Sequence, residues 1–330
     1  MRFRVLVSTV IIAIVGYSLF WFYMAGELED RIEAWAQTQK PRGLSLRYKE
    51  LDITGFPYRM ELAFTDLNVV KTNGEGLPVL FMAPNITLIA FPWNIYHGVM
   101  VSDGGALRIG RRTNPALTLA FGKSRASVVF DRADGEFLRF SAVLGSMKWV
   151  GQNDDLAAST ADEMKLHILR PQQDDGQDDM ELPVQVKLFV ELDGLAVRDY
   201  FDKKLDKVRL DLELHGKSLP GYSKESLAAW RDEGGTLSVK NIEVIADNMN
   251  VELNGELSLD QDMKPLGAFS AKLQSLNEMK DGMPENKLMQ ELGRLGNPDS
   301  KAPSELAVSL QNGLLYLGPV PVYELAPVVE

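Results

Sequence analysis

The sequence predicts a mainly β protein, with large curved antiparallel sheets and a few flanking helices, behind an N-terminal transmembrane helix. Two observations support this fold class. Residues 5–24 form an unbroken uncharged stretch, and most of the remaining chain alternates between apolar and polar residues in short runs. Glycine, asparagine, aspartate and proline fall between these runs, which is typical of turns that connect strands.

The stretch Val5–Met24 has the length and the flanks of a membrane-spanning helix. As a helix it would be about 30 Å long, which matches the hydrocarbon core of a bilayer. Basic residues precede it (Arg2, Arg4) and acidic residues follow it (Glu27, Glu29, Asp30). This asymmetry predicts a single-pass protein of the inner membrane, which is contacted through residues 5–24. The N-terminus would lie in the cytoplasm and the body in the periplasm.

Two other interpretations of this stretch remain open. A cleaved signal peptide needs small residues at both the −3 and −1 positions. Ala25 or Gly26 could supply the −1 position, but Tyr23 or Met24 would then occupy −3. The other alternative is a buried helix of a soluble protein. The chain has no cysteine, so a lipid-modified N-terminal cysteine, disulfides and thiolate metal sites are excluded.

The body of the protein is strongly acidic. The chain has 35 basic and 46 acidic residues and a formal net charge of −11. Without Arg2 and Arg4 the body has 33 basic residues against 46 acidic ones, a charge of −13. Such a surface repels phosphate groups. We therefore exclude nucleic acid as a partner, and anionic headgroups as a docking target for the body.

Period-two alternation predicts strands along most of the body. A strand with one apolar and one wet face belongs in an antiparallel sheet. The clearest run is Val184–Leu192, in which aliphatic residues alternate mainly with polar ones. The other runs are Leu44–Tyr48, Met60–Phe64, Ile86–Ala90, Leu117–Phe121, Phe137–Leu144, Met164–Ile168, Val208–Leu214, Val251–Leu259, Gly267–Leu273 and Leu306–Leu310.

Four stretches have helical spacing instead. Leu28–Gln37 would extend the membrane helix as a stalk, and Ser223 would cap a short helix that ends at Gly234–Gly235. A third set is Val197, Phe201, Leu205 and Val208, and a broken helical pair carries Leu276, Met279, Met283, Leu288, Leu292 and Leu295. The proline-rich end, Gly318–Glu330, should be extended.

The predicted domain organisation is an anchor at residues 1–26, a β-rich lobe at 27–175 and a second β-rich lobe at 176–330. The acidic stretch Gln172–Glu181 is the predicted seam, because its block of like charges favours a solvated linker over a calcium loop. The second lobe could duplicate the first. Ala34–Trp35 and Ala229–Trp230 are each followed by a glycine and a Leu–Ser–aliphatic strand.

The sequence contains no recognisable catalytic or cofactor-binding motif. The triplets Gly122–Lys123–Ser124 and Gly216–Lys217–Ser218 lack the earlier glycine of a phosphate-binding loop, so both are predicted to be turns. The histidines form no metal-binding pair (His97, His167, His215). We therefore expect a protein that is not an enzyme, with no catalytic, cofactor-binding or metal site.

Aromatic residues beside prolines are the remaining unusual feature. They occur in Gly55–Phe56–Pro57 and Ala90–Phe91–Pro92–Trp93, and Ala83–Pro84 lies between them. Such residues can protect strand ends or plug a core, or they can rim an apolar groove. The candidate groove residues are Phe56, Phe91, Trp93, Phe121 and Phe140. For Trp93 itself we expect a buried plug at the end of its strand.

The same residues carry a resemblance to a known family. The segments I-T-G-F-P-Y-R-M-E-L and A-P-N-I-T-L-I-A-F-P-W, after a helix with Trp35, resemble domain-of-unknown-function family 2125. The C-terminal half is also similar, with G-G-T-L-S-V, L-N-G-E-L-S-L-D and L-Q-N-G-L-L-Y-L-G-P-V-P. The likeness covers most of Trp35 to Pro327. It implies no catalytic residue, because the family's activity is unassigned. The strand–turn style also resembles AsmA-type envelope proteins, which form long grooved sheets.

These features predict two functions. The first is a structural or adaptor protein of the envelope, whose sheet face or edge binds another protein. The alternative is a carrier or lining for lipids or other apolar envelope components, in the groove of a curved sheet. An open apolar trough of about 300 Å³ or more would favour the carrier. A hydrolase with an unrecognised site is a third, weaker hypothesis.

Overall fold

The computed structural model describes residues 2–72, 77–111, 114–151, 159–172, 182–197, 204–221, 223–247, 249–274 and 304–329. Strand accounts for 61% of these described residues and helix for 19%, so the prediction of a mainly β, antiparallel fold is confirmed. The helices are α1 (Arg2–Gln39) and α2 (Lys224–Asp232), and a 3-10 turn covers Lys40–Arg42.

Each predicted run overlaps a strand, and all but the first of these strands are longer than the run, whereas seven further strands lie outside the predicted runs. They are β1 (Leu44–Arg47), β2 (Glu50–Thr54), β3 (Met60–Lys71), β4 (Val79–Phe91), β5 (Asn94–Ser102), β6 (Gly105–Arg111), β7 (Asn114–Phe121), β8 (Ser124–Phe130), β9 (Phe137–Gly151), β10 (Ser159–Leu169), β11 (Val184–Leu195), β12 (Leu205–His215), β13 (Thr236–Ala246), β14 (Met249–Leu259), β15 (Pro265–Gln274), β16 (Ser304–Gln311), β17 (Leu314–Leu317) and β18 (Val320–Glu324).

The chain divides into two compact units, Met1–Ser127 and Val128–Glu330. The predicted boundary between residues 175 and 176 lies outside the described residues, as does most of the predicted seam. The predicted lobes 27–175 and 176–330, and their duplication, therefore stay predictions. The predicted helical pair at residues 276–295 also lies outside the described part of the chain.

In the first unit, β3 and β4 form the centre of the sheet. The two short strands β1 and β2 pair one after the other along β3, and β5 and β6 do the same along β4. β7 continues the sheet beyond β6. Since β3 alone has 12 residues, it spans roughly 40 Å.

Helix α1 has two parts with different surroundings. It is the one helix among the described residues that is long and apolar enough to cross a membrane. Its side chains are mostly exposed up to Phe20, and the continuous helix confirms the predicted stalk at Leu28–Gln37. From Trp21 onward, a stripe at helical spacing packs against the sheet (Trp21, Met24, Ala25, Leu28, Ile32). The stripe covers Met60, Leu62, Phe64, Leu67, Ala83 and Ile86.

Tyr48, just after β1, ties the stalk to the sheet. Its ring packs edge-on against Phe64, with ring centroids 5.3 Å apart. Burial raises the pKa of the Tyr48 hydroxyl, and the carboxylates of Glu33 and Glu29 on α1 raise it further. The hydroxyl therefore stays protonated and can donate to Glu33.

The second unit is an antiparallel meander in which each strand from β9 to β18 pairs with the next along the chain. Bulges interrupt the ladders between Asp211 and Leu212 and between Val239 and Ile242. A bulge bends its strand and increases the local twist. The bulges therefore supply the curvature that a sheet of many strands needs.

One sequence prediction in this unit is wrong. Of the predicted helical set, Phe201 lies outside the described residues, and Leu205 and Val208 both lie in strand β12. For Val208 the overlapping strand run Val208–Leu214 is the prediction that is confirmed. Val208 pairs with Leu192 on one side and with Val244 on the other. The spacing in this short window is compatible with either element, and pairing on both sides of β12 outweighs the weak local preference for helix.

Helix α2 forms as predicted. The Ser223 hydroxyl accepts a hydrogen bond from the amide of Ser226, which caps the helix N-terminus. Trp230 is buried, and its indole nitrogen donates to the carbonyl of His215 at 2.8 Å. A Cβ at Gly235 would lie 2.3 Å from the Trp230 ring, so only glycine fits there. In the proline-rich end, β18 (Val320–Glu324) is extended as predicted, whereas residues 318–319 form a turn and Glu330 lies outside the described residues.

Candidate functional site

The second unit carries continuous rows of apolar side chains on one face of its sheet. The two central rows, read across the strands in register, are Ala142–Leu166–Val190–Leu210–Ile242–Leu253–Ala271–Leu306 and Phe140–Ile168–Leu188–Leu212–Val239–Gly255–Phe269–Val308. Flanking rows run from Leu144 to Leu273 and from Val186 to Leu310. These four rows are termed the apolar face. At about 4.8 Å per strand, the central rows extend roughly 34 Å across β9–β16.

Most side chains of the apolar face are only partly buried. In the central rows Ala142, Val239 and Ala271 are buried, whereas the larger aliphatic residues keep part of their surface exposed. Helix α2 is the one helix among the described residues of this unit, and its cluster packs at one end, beside Leu214. The described elements therefore leave much of this face open.

The opposite, polar face is the better buried one on β11. Glu191 is 6% exposed and Gln185 is 7% exposed, although alternation predicted a wet face there. Gln185 donates to the carbonyl of Gly216 at 2.7 Å. Long basic side chains from the neighbouring strands cover Glu191, since lysine and arginine stems add apolar area around a charge.

These charges form a ladder across four strands, defined by Lys165, Glu191, Arg209 and Glu243. The Lys165 ammonium lies 2.7 Å from one Glu191 oxygen, and the Arg209 Nε lies 2.6 Å from the other. Arg209 also reaches Glu243 at 2.9 Å. Hydrogen bonds from Lys165 and Arg209 lower the pKa of Glu191 to about 2, against the opposing effect of burial. Glu191 is therefore a fixed anion rather than a proton donor near neutral pH.

A second cluster on the polar face surrounds Glu213. Burial by itself would raise the pKa of this carboxyl, but hydrogen bonds from Lys187 and Lys240 bring it below its usual value. The Lys187 ammonium lies 2.6 Å from Glu213, and that of Lys240 lies 3.3 Å away. The polar face thus neutralises these charges internally, which the sequence order of the residues did not reveal.

The first unit has a cleft on the sheet face that points away from α1. Its volume is about 560 Å³. Arginines and aliphatic side chains share its walls (Arg47, Arg108, Arg111, Val70, Leu80, Met82). The register explains this placement, because Val69 and Phe81 face the helix while their neighbours Val70 and Leu80 face the cleft. The cleft combines positive charge with apolar area in an otherwise acidic chain.

The five predicted groove residues have different surroundings. Phe56 stacks on Phe22 of α1, with ring centroids 5.5 Å apart. Phe91 and Trp93 contact each other at 5.6 Å. Phe121 is buried against Phe81, and Phe140 belongs to the apolar face of the second unit. The expectation of a plug at Trp93 is wrong, because this side chain is 64% exposed in the turn after β4.

The remaining motifs have local roles. His97 hydrogen-bonds Ser127, and His167 hydrogen-bonds Ser141. The triplet Gly216–Lys217–Ser218 lies in the bend after β12, as predicted, whereas in the other triplet Gly122 and Lys123 connect β7 to β8 and Ser124 begins β8. Among the described residues, no group of three or more histidine, aspartate or glutamate side chains is arranged to hold a metal ion.

The family comparison agrees with the resemblance carried by the G-F-P and A-F-P-W segments. Residues 21–326 match the family of uncharacterized proteins conserved in bacteria, DUF2125. The chain belongs to the DUF2125 family. The match begins at Trp21, the first residue of α1 that is buried against the sheet. The match to this DUF2125 protein covers all of the first unit after Phe20 and the second unit up to residue 326, including the apolar face. Neither a curated protein nor a solved structure matches the chain.

Proposed function

We propose that this protein is a non-enzymatic, membrane-anchored envelope protein that binds the acyl chains of lipids along its apolar face. The body would lie on the periplasmic side of the inner membrane. The single observation that carries this proposal is the set of uninterrupted apolar rows across β9–β16. Apolar area open to water is unfavourable, and each methylene of a bound chain that leaves water gains about 0.8 kcal/mol.

The charges on the polar face support this assignment of the binding surface. Glu191 and Glu213 are each paired with basic side chains of neighbouring strands, so these charges are already neutralised inside the sheet. The apolar face has no comparable internal partner in the described residues other than the α2 cluster at its end. The same pairing keeps Glu191 ionised, because hydrogen bonds from Lys165 and Arg209 lower the pKa of its carboxyl, so Glu191 is not placed to act as a general acid near neutral pH.

The anchor supports a lipid as the occupant. Helix α1 packs directly on the first unit, so a membrane-inserted α1 would hold the protein beside a bilayer, which is a source of acyl chains. The cleft of the first unit has a volume of about 560 Å³, which is larger than the roughly 300 Å³ expected of a site that carries an apolar ligand. Its arginines and aliphatic walls would suit an anionic amphiphile.

A matched pair of variants on β14 tests the proposal. Leu253 lies in a central row of the apolar face, and the next residue, Asn254, is exposed on the other side. Leu253→Gln should reduce the uptake of a fluorescent fatty acid several-fold, whereas Asn254→Gln should not. Native mass spectrometry of the wild-type protein should detect bound lipid. Equal uptake by the two variants, or a wild type without lipid or probe, would contradict the proposal.

An adaptor role is the second candidate. The partly buried residues of the apolar face make a broad surface, and such a surface could also receive a strand or helix of another protein. A photo-crosslinking amino acid in place of Leu253 separates the two functions in cells. A lipid adduct supports carriage, and a single reproducible protein adduct that is lost in a Leu210→Gln background supports the adaptor.

A further inference from the structure

The turn between β2 and β3 contacts α1 within the segment that is expected to span the membrane. The Tyr17 hydroxyl donates to the carbonyl of Pro57, and the Trp21 indole donates to the carbonyl of Arg59 at 3.3 Å. Phe56 also packs edge-on against Trp21, with ring centroids 5.6 Å apart. This turn, residues 55–59, is therefore held at a defined height along the helix.

The contact between Tyr17 and the turn lies within the apolar stretch Val5–Met24. Tyr17 is seven residues before Met24, which at 1.5 Å per residue is about 10 Å along the helix axis. If α1 left the bilayer at Tyr17, only Val5–Gly16 would remain to cross it. That segment would be about 18 Å long, well short of a hydrocarbon core of about 30 Å. Part of the turn must then lie below the surface of a bilayer that α1 spans.

A second turn lies at the same end of the sheet. Met60, at the start of β3, pairs with Ala90, near the end of β4, so the turns at residues 55–59 and 92–93 are neighbours. Both expose large aromatic side chains: Tyr58 is 73% exposed and Trp93 is 64% exposed. In water such exposure is unfavourable, but tyrosine and tryptophan are the residues enriched where lipid meets water.

We propose that these two turns insert into the bilayer interface beside α1, as a second membrane contact of the first unit. The contact would depend on aromatic side chains rather than on charge, which fits an acidic body that repels anionic headgroups. The one charged residue in the two turns, Arg59, is paired with Glu61 and has a stem long enough to reach the headgroups. The inference rests on the membrane anchor and is independent of the proposed lipid carriage.

Single cysteines test the contact, because the natural chain has none. The full-length protein in phosphatidylcholine nanodiscs would carry an environment-sensitive fluorophore at Tyr58→Cys or Trp93→Cys. A matched control is Leu77→Cys, which is 56% exposed just before β4, at the opposite end of the same strands. With nitroxide-labelled lipids, positions 58 and 93 should lose roughly half or more of their fluorescence, and position 77 should lose little.

A fourth position separates failure of the inference from failure of the anchor. A fluorophore at Val10→Cys, in the middle of the apolar stretch, should be quenched most by a nitroxide deep in the acyl chains. If Val10 is quenched while positions 58 and 93 respond only to a water-soluble quencher, the turns lie in water and the inference is overturned. If Val10 is not quenched, α1 does not span the bilayer, and the inference falls with the anchor.

Discussion

Glu191 illustrates how neighbouring strands determine the state of a single residue. Its position in the alternating run of β11 predicts a side chain facing water, yet it is buried between Lys165 and Arg209. Residues 26 positions before it and 18 after it supply these partners. Their relation to Glu191 depends on strand register, which periodicity within one strand cannot define. Around Glu191 the polar face is consequently a set of compensated charges instead of a solvated surface.

We expect Glu191→Gln to destabilise the protein by about 2 kcal/mol at pH 7. The pKa of Glu191 is lower in the folded protein than in the unfolded chain, about 2 instead of 4.5. The stability it contributes is therefore present above about pH 4.5 and is lost as the pH falls toward 2. Urea unfolding of the wild type and the variant between pH 7 and pH 3 should show the difference shrinking as acid is added.

Glu256→Gln is the control for this prediction. Glu256 lies on the same polar face, in β14, and is exposed. Its substitution should change the free energy of unfolding by no more than about 0.5 kcal/mol at either pH. A Glu191→Gln variant with the same stability as the wild type at pH 7 would show that the charge ladder contributes nothing to folding.

At the scale of the element, α1 combines two environments in one helix. The apolar run to Met24 predicted a membrane span that ends before the folded body begins, but Trp21 and Met24 already belong to the core of the first unit. A chain without Val5–Met24 would therefore expose Met60, Leu62 and Phe64. A truncated chain that starts at Phe20 keeps these contacts, so it should be more soluble than the chain without Val5–Met24.

Trp21→Ala should destabilise the first unit by about 3 kcal/mol, because it removes a large side chain that is 3% exposed. Trp35→Ala is the matched control on the same helix, since Trp35 is 50% exposed. It should cost less than about 1 kcal/mol. Denaturant unfolding of the full chain in detergent measures both variants. Equal losses would indicate that α1 does not pack on the sheet in solution.

At the scale of the whole molecule, the described residues form two β-rich units, the first of which includes the apolar N-terminal helix. The family match, from residue 21 to residue 326, includes the stalk and both units but leaves out most of the apolar run. The region shared with the family is thus the folded body together with the part of α1 that packs against it.

A C-terminal reporter that is active only outside the cytoplasm should be active on the full chain. The basic residues before the apolar run, Arg2 and Arg4, would keep the N-terminus inside. The double substitution Arg2→Glu with Arg4→Glu should reduce that activity. It should raise the activity of a C-terminal reporter that works only in the cytoplasm. Activity of only the cytoplasmic reporter on the natural chain would reverse the proposed orientation.

The sequence by itself determined the fold class, most of the strands and the family. These properties depend on local alternation, turn residues and short motifs such as the G-F-P segment. The tertiary structure alone decided which residues meet. It placed Trp93 in an exposed turn, put Leu205 in a strand, and paired Glu191 with Lys165 and Arg209. The physical reason is that burial and charge pairing depend on cross-strand register and on helix docking, which bring together residues far apart in sequence.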